Sequence, residues 1–409
     1  MHHTRSLRDG HEIALLEGAD AYFAELVVAM DAARSQIHLE TYIFDLHGQA
    51  EAVALAMERA ALRGVRVWLM VDGVGTGRLP QSWSERFARA GVEWRLYSPL
   101  GALGLLIPSR WRRLHRKLVV IDGHVVFCGG INILDDLYDP HHGALEHPRF
   151  DFAVRARGAL VQQAQETMTQ LWWRQQAMRH ARQHHFPEAF SSFRAAGLHL
   201  PWSHPPEDGR LARVVARAGL LLRDNLLHRS QIERAYRRAI AQARHEIVIA
   251  NAYFLPGRRL RHALVHAARR GVRVRLLLQG RYEYFMQHHA ARPVYNTLLS
   301  AGIEIHEYTR SFLHAKVAVI DPHNDHAWAT VGSSNLDPLS LLLAREANVV
   351  VSDRHFAQQL HRRLVEVIEG ESRPVAAADV LRRPWSLRLR DRLAFMLMRM
   401  ALFLAGKRY

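Results

Sequence analysis

Only three of the 55 lysines and arginines in this chain are lysine, Lys117, Lys316 and Lys407, and the first two sit in the same arrangement. In LHRKLVVIDGHVVFCGGIN, His115 stands two places before Lys117 and Lys117 five before Asp122, with Asn132 at the end. LHAKVAVIDPHNDHAWATVGSSN repeats the spacing with His314, Lys316 and Asp321, and ends on Gly332, Ser333, Ser334 and Asn335 after a longer turn. On a strand, residues two apart share a face, so each His and Lys project together while Arg116 or Ala315 points the other way. One His-x-Lys would read as a surface strand with two polar side chains. Two copies at one spacing, using two of three lysines, are not a coincidence of composition. Lysine is a compact point charge and arginine a planar fork, so a position kept as lysine amid so much arginine points to a site that needs the former.

Paired histidines, lysines and asparagines suit an attack on a phosphodiester. Such an anion resists a nucleophile until donors neutralise its oxygens, and Lys117, Lys316, Asn132 and Asn335, with Ser333, are the candidate phosphate-binding donors. Histidine titrates near neutral pH, so one ring can attack phosphorus while the other protonates the departing alkoxide. This chemistry requires neither metal nor cofactor, and the histidines between His180 and Arg210 lack the paired spacing with a carboxylate that a metal site uses.

The elements carrying these residues are duplicated. IHLETYIF (Ile37 to Phe44), a helical stretch, and RGVRVWLMVDG (Arg63 to Gly73) precede the first motif. IVIANAYF (Ile247 to Phe254), another helical stretch, and RGVRVRLLLQG (Arg270 to Gly280) precede the second. Strands apolar on both faces, alternating with helices, predict an α/β fold with a mixed sheet flanked by helices in each half. The expected organisation is an N-terminal domain over 1–195, a Pro- and His-rich linker over 196–210, a C-terminal domain over 211–372 and a tail over 373–409.

Bulk composition sets limits. With 49% hydrophobic and 23% charged residues, the chain can bury two ordinary cores. Cys128 is the single cysteine, which excludes a disulfide framework and suits a reducing compartment. The first residues lack the apolar core of a signal peptide, and no run reaches the roughly 20 apolar residues of a membrane span, so a soluble body is expected. A net charge of +16 favours an anionic partner, nucleic acid or an acidic membrane.

The duplicated HRKLVVID and HAKVAVID segments, with GGIN and GSSN behind them, resemble the phospholipase D superfamily. ETYIF, ANAYFLPG, ATVGSSNLDPLSL and REANVVVSDRHF narrow the resemblance to the B-type bacterial cardiolipin synthases, along nearly the whole chain. The resemblance implies two like domains about a pseudo-two-fold axis and a phosphohistidine intermediate, with His115 as nucleophile and His314 as general acid and base, or the reverse. It places Lys117, Lys316, Asp122 and Asp321 in the catalytic set, the aspartates stabilising the site more than acting on substrate. An acidic residue some way after each His orients its ring, which matches Asp151 to His115 and Glu346 to His314. The implied activity is phosphatidyl transfer from phosphatidylglycerol to a second phosphatidylglycerol or to glycerol. A hydrolase or nuclease using the same motifs is the alternative.

The tail, WSLRLRDRLAFMLMRMALFLAGKRY from Trp385, is too short to span but suits an amphipathic helix lying among anionic headgroups. A core or dimer helix is the other reading. The segment from Pro99 to His115, PLGALGLLIPSRWRRLH, offers Leu105, Leu106 and Ile107 as a second lipid contact beside the first motif. The expected partners are therefore anionic phospholipids, phosphatidylglycerol and cardiolipin, at the cytoplasmic face of a bacterial inner membrane. The apolar tail argues against nucleic acid.

Overall fold

The computed structural model describes residues 7–101, 104, 108–139, 142–183, 187–188, 191–192, 214–224, 229–281, 285–337, 340 and 343–376, and in the tail residues 390, 393, 396 and 400. The predicted linker over 196–210, the contact residues Leu105, Leu106 and Ile107, and most of the tail lie outside the described residues.

Each half lays down seven strands in the same order. Outward from the seam, the first half runs Arg8–Glu17, Phe152–Arg157, Val125–Gly129, Lys117–Ile121, Gln36–Thr41, Arg66–Asp72 and Val92–Tyr97. The second runs Val214–Arg223, Ala344–Ser352, Trp328–Gly332, Lys316–Ile320, Glu246–Asn251, Arg273–Gln279 and Glu304–Tyr308, with Ser372–Pro374 added at its edge. The outer three strands of each half are parallel and the rest antiparallel, so each half-sheet is mixed. Arg8–Glu17 pairs antiparallel with Val214–Arg223, which joins the halves into one sheet and gives the repeat its two-fold character.

Both motif strands, KLVVI and KVAVI, are buried at every position, which is why their sequences do not alternate. One face of each packs on helices: Val119 and Ile121 share a core with helices Gly18–Asp31 and Glu51–Leu62, and Ala318 and Ile320 with Gln231–Gln242 and Arg258–Arg269. The other faces meet. Leu118, Val126 and Cys128 lie in one core with Val317, Ala329 and Val349, closed by helices Ala159–Arg182 and Arg354–Gly370. The Cys128 Sγ is 3.7 Å from the Ala347 carbonyl of the other half, so the lone cysteine is an apolar filler at the junction.

Asp122 and Asp321 terminate the motif strands with φ of 52° and 48°, in the left-handed region. Aspartate tolerates that conformation where its carboxylate bonds locally. Asp122 accepts from the backbone N–H of Arg34, Ser35 and Gln36 at 2.8 to 2.9 Å, and Asp321 from Arg244, His245 and Glu246 at the same distances. Each carboxylate thus pins the entry to the neighbouring strand. This corrects the sequence expectation for both. They lie at the opposite end of the motif strand from His115 and His314, seven residues or about 23 Å away at some 3.3 Å per residue, and brace the sheet without facing the site.

Candidate active site

Each histidine is delivered by a short exchange of backbone between halves. Arg113–Leu114 pairs with Ala344–Arg345, and the His115 N–H donates to the Arg345 carbonyl at 3.0 Å. In return, Phe150 bridges to Leu313, and the N–H groups of His314 and Ala315 donate to the Phe150 carbonyl at 2.9 and 3.0 Å. The next residue on each lending strand is the carboxylate. The His115 Nδ1 lies 3.0 Å from the Glu346 carboxylate, and the His314 Nδ1 lies 2.6 Å from Asp151. The pairing is therefore crossed, which corrects the expectation that each histidine uses the acid of its own half. Chain order could not reveal it, because the exchange depends on two distant strands lying side by side.

Glu346 and Asp151 are almost wholly buried while the imidazoles keep an exposed edge, so each ring is held at Nδ1 and leaves Nε2 toward the opening. Lys117 Nζ donates to the His115 carbonyl at 2.8 Å, and Lys316 Nζ donates to that of His314. Asn132 and Asn335 accept through Oδ1 from the N–H of Ile43 and Tyr253, at 3.2 and 3.4 Å, which leaves each NH2 as a donor. Ser333 is placed differently from expectation. It is fully buried, its hydroxyl donates to Glu346 at 2.5 Å, and it accepts from the Ala347 N–H, so it holds a carboxylate in place of binding phosphate. Gly130 occupies the matching position in the first half, where a Cβ would fall 2.2 Å from the Asp151 Oδ1.

Burial dominates the electrostatics. It pushes the Lys117 ammonium down to about 7, with the Lys316 charge adding to the effect. It raises the Asp151 carboxyl to about 7 against the opposing pull of Lys316. His314 is driven well below its ordinary value by burial and then by Lys316, Lys117 and His115. His115 is lowered by burial too, though Glu346 resists. Groups of both halves thus act on one another across a single centre, where Lys117 and Lys316 face Glu346 and Asp151.

Several positioning residues were missed in the sequence. Asp72 accepts from the Leu114 N–H at 2.7 Å and from Arg113 at 3.0 Å, and Gln279 accepts from the Leu313 N–H at 3.2 Å. Each therefore fixes the residue before a catalytic histidine. The signal was present: they are the penultimate residues of RGVRVWLMVDG and RGVRVRLLLQG. Tyr42 packs its ring 5.0 Å from His115 and 5.6 Å from the Lys117 Nζ, a cation–π contact, while the second half has Ala252 at the matching place. Among the described residues no group of three or more His, Cys, Asp or Glu side chains could hold a metal.

The family model described as "Cardiolipin synthase, PLD-like domain" matches residues 26–147 and again 236–368, one copy in each half of this site. The chain is a member of the cardiolipin synthases of the phospholipase D superfamily. Cardiolipin synthase B of Escherichia coli strain K12 is 38% identical over 400 residues, covering 96% of this chain and 89% of that protein. A cardiolipin synthase of Alkalihalophilus pseudofirmus is 31% identical over 339 residues, covering 82% of this chain and 61% of that protein. The crystal structure of a phosphatidylserine synthase from Haemophilus influenzae superposes with a TM-score of 0.62 at 11% identity, covering 96% and 94% of the two chains, so the likeness there is of fold. In this cardiolipin synthase family member the two matched ranges hold His115, His314 and Glu346, while Asp151 follows the first range by four residues.

Proposed function

We propose that this protein joins two phosphatidylglycerol molecules into cardiolipin and glycerol through a phosphatidyl-histidine. The observation that carries the reading is the meeting of both His–Lys pairs at one anion-accepting centre, in a chain similar over nearly its full length to proteins named cardiolipin synthase B.

With Nδ1–H turned to Glu346, the His115 Nε2 lone pair attacks phosphorus, and the P–N bond forms as the P–O bond to glycerol breaks. His314, protonated, gives its proton to the departing glycerol oxygen. Burial and then the Lys316 and Lys117 charges depress this imidazole, and a substrate phosphate beside it counters the second of these and so favours its protonation. His314, now neutral, takes the proton of a second lipid's hydroxyl, whose oxygen attacks phosphorus as the P–N bond breaks. Lys117, Lys316 and the NH2 groups of Asn132 and Asn335 neutralise the phosphoryl oxygens throughout.

The substrates are membrane lipids, and peripheral attachment at the cytoplasmic face of a bacterial membrane suits the chain. Among the described residues no helix is long and apolar enough to cross a bilayer. In the tail, Leu393, Met396 and Met400 are helical and exposed at 51, 64 and 55%, a spacing that puts them on one face. Purified protein incubated with labelled phosphatidylglycerol, followed by lipid separation, tests the function. Cardiolipin is expected; phosphatidic acid alone would make it a hydrolase, and unchanged lipid would reject both.

A further inference from the structure

The two halves share one strand order, so each half is an internal control for the other: where counterparts differ, the fold did not demand the residue. On the outside of the first half, Arg155 of strand Phe152–Arg157 and Glu25 of helix Gly18–Asp31 form a 2.9 Å ion pair across the angle between helix and sheet. The buried helix positions Tyr22, Leu26 and Met30 correspond to Ile232, Tyr236 and Ile240, which makes Ala235 the counterpart of Glu25. Counting from the histidine-bonded acids, Asp151 and Glu346, makes Val350 the counterpart of Arg155. Two long paired side chains in one half are thus two short apolar ones in the other.

A cavity of about 690 Å³ opens there, with Ala235, Val350, Leu221 and Ile320 among its walls and Trp328 beside them. That volume lies within the range of small-molecule sites. Its rim carries Arg217, Arg234, Arg238 and Arg244. The first half has Glu12, Ala24 and Val28 where the first three of these stand, so those three arginines are as little required by the fold as the opening is, whereas Arg244 has Arg34 as its counterpart. Asp321 is the single acid among the lining residues, its oxygens are spent on backbone N–H groups, and its one charge leaves the four-arginine rim basic. Arg217 reaches the Leu7 carbonyl at 3.4 Å while remaining exposed. The cavity lies at the Asp321 end of the motif strand, away from His314.

We propose that this cavity is a second lipid-binding site, distinct from the catalytic centre, for an anionic amphiphile. Arg234, Arg238 and Arg244 hold its phosphoryl oxygens, and the partly exposed Leu221, Ala235 and Trp328 receive the apolar part. Arginine's fork matches phosphate oxygens, and an apolar wall beneath it selects a phosphate that carries a chain over one that does not.

The test measures binding of dihexanoyl phosphatidylglycerol, below its micelle concentration, to the full chain carrying His115→Asn so that no turnover intervenes. Glycerophosphoglycerol and inorganic phosphate are titrated in parallel. Two equivalents of lipid are expected, one of which weakens at least tenfold in Arg234→Ala/Arg238→Ala and in Ala235→Glu/Val350→Arg, the pair that fills the cavity as the first half does. With His115 restored, both variants should melt as the parent does and cleave a soluble diester at the parent rate. A single equivalent in the parent, or two in both groove variants, overturns the proposal. Inorganic phosphate binding the second site as tightly as the lipid also overturns it, because the apolar wall would then select nothing.

Discussion

The His115 Nδ1 sits 3.0 Å from Glu346, a carboxylate that the chain reaches only in its second half, and Asp151 of the first half returns the contact to His314 at 2.6 Å. Neither repeat therefore holds a complete acid–base pair, and the seam between the half-sheets is part of the chemistry. With His115 as nucleophile, Glu346→Gln and Asp151→Asn should each lower kcat by about 10²–10⁴, as loss of an imidazole-orienting carboxylate does elsewhere. A nitrophenyl phosphodiester separates them, because its leaving group departs without a proton. The nitrophenolate burst should persist in Asp151→Asn and be lost in Glu346→Gln. The opposite pattern would exchange the roles of the two histidines.

The same burial that shapes the site sets its pH range. Lys117 must be charged to neutralise a phosphoryl oxygen, and with its ammonium depressed to about 7 that charge is lost as pH rises through 7. His115 must be neutral to attack, and burial lowers it, so the acid limb lies below the ordinary histidine value of 6.5. His314, which must hold a proton, is depressed as well, so the log of kcat/KM should fall on both sides of an optimum at or below neutrality, and a profile flat from about pH 6 to 10 would contradict the assignment. Stability carries the matching sign. Between the folded value near 7 and the unfolded value of 10.5 the unfolded chain binds more protons at this lysine, so its contribution to stability rises with pH across that window. Lys117→Met should abolish turnover and raise the melting temperature below pH 7, which calorimetry would register.

Asp122 and Asp321 belong to the motif by spacing and to the framework by geometry. Asp321→Ala leaves three backbone N–H groups without their acceptor and keeps a left-handed φ that only the aspartate offset. A loss of about 2–4 kcal/mol in urea unfolding is expected, with kcat per folded molecule within roughly threefold of the parent. A larger fall in kcat at unchanged stability would return Asp321 to the chemistry.

Much of the architecture was legible because the repeat exposed it: buried strands do not alternate, and KLVVI and KVAVI announce a covered sheet. The histidines, lysines and asparagines were read from one interval repeated in both halves and from the scarcity of lysine in so arginine-rich a chain. The crossed pairing was not, since interval along the chain says nothing of which strand lies beside which. Ser333 misled for a related reason. A hydroxyl beside the motif reads as a phosphate donor until the buried Glu346 oxygen is seen to claim it. The Pro99 to His115 segment and the tail read as lipid contacts in the sequence, whereas the arginine-rimmed cavity depends on Ala235 and Val350 standing where the first half has Glu25 and Arg155.

Arg116 lies between His115 and Lys117 but faces away from them. It is 2% exposed and forms a forked pair with Glu40, which is fully buried; Nη2 to Oε1 is 2.9 Å. Ala315 and Ala250 occupy these places in the second half, so the same sheet is built without the pair. Removing one partner strands a charge in the interior, and Glu40→Ala should cost about 3–5 kcal/mol. Removing both leaves a cavity and no charge, the arrangement the second half already uses. Glu40→Ala/Arg116→Ala should therefore be more stable than Glu40→Ala alone, with a coupling of about 2 kcal/mol or more between the sites. Denaturant midpoints of the four proteins in the cycle measure it. If the double variant loses the sum of the single losses, the pair is held by its surroundings separately, and Arg116 has a role that the repeat does not reveal.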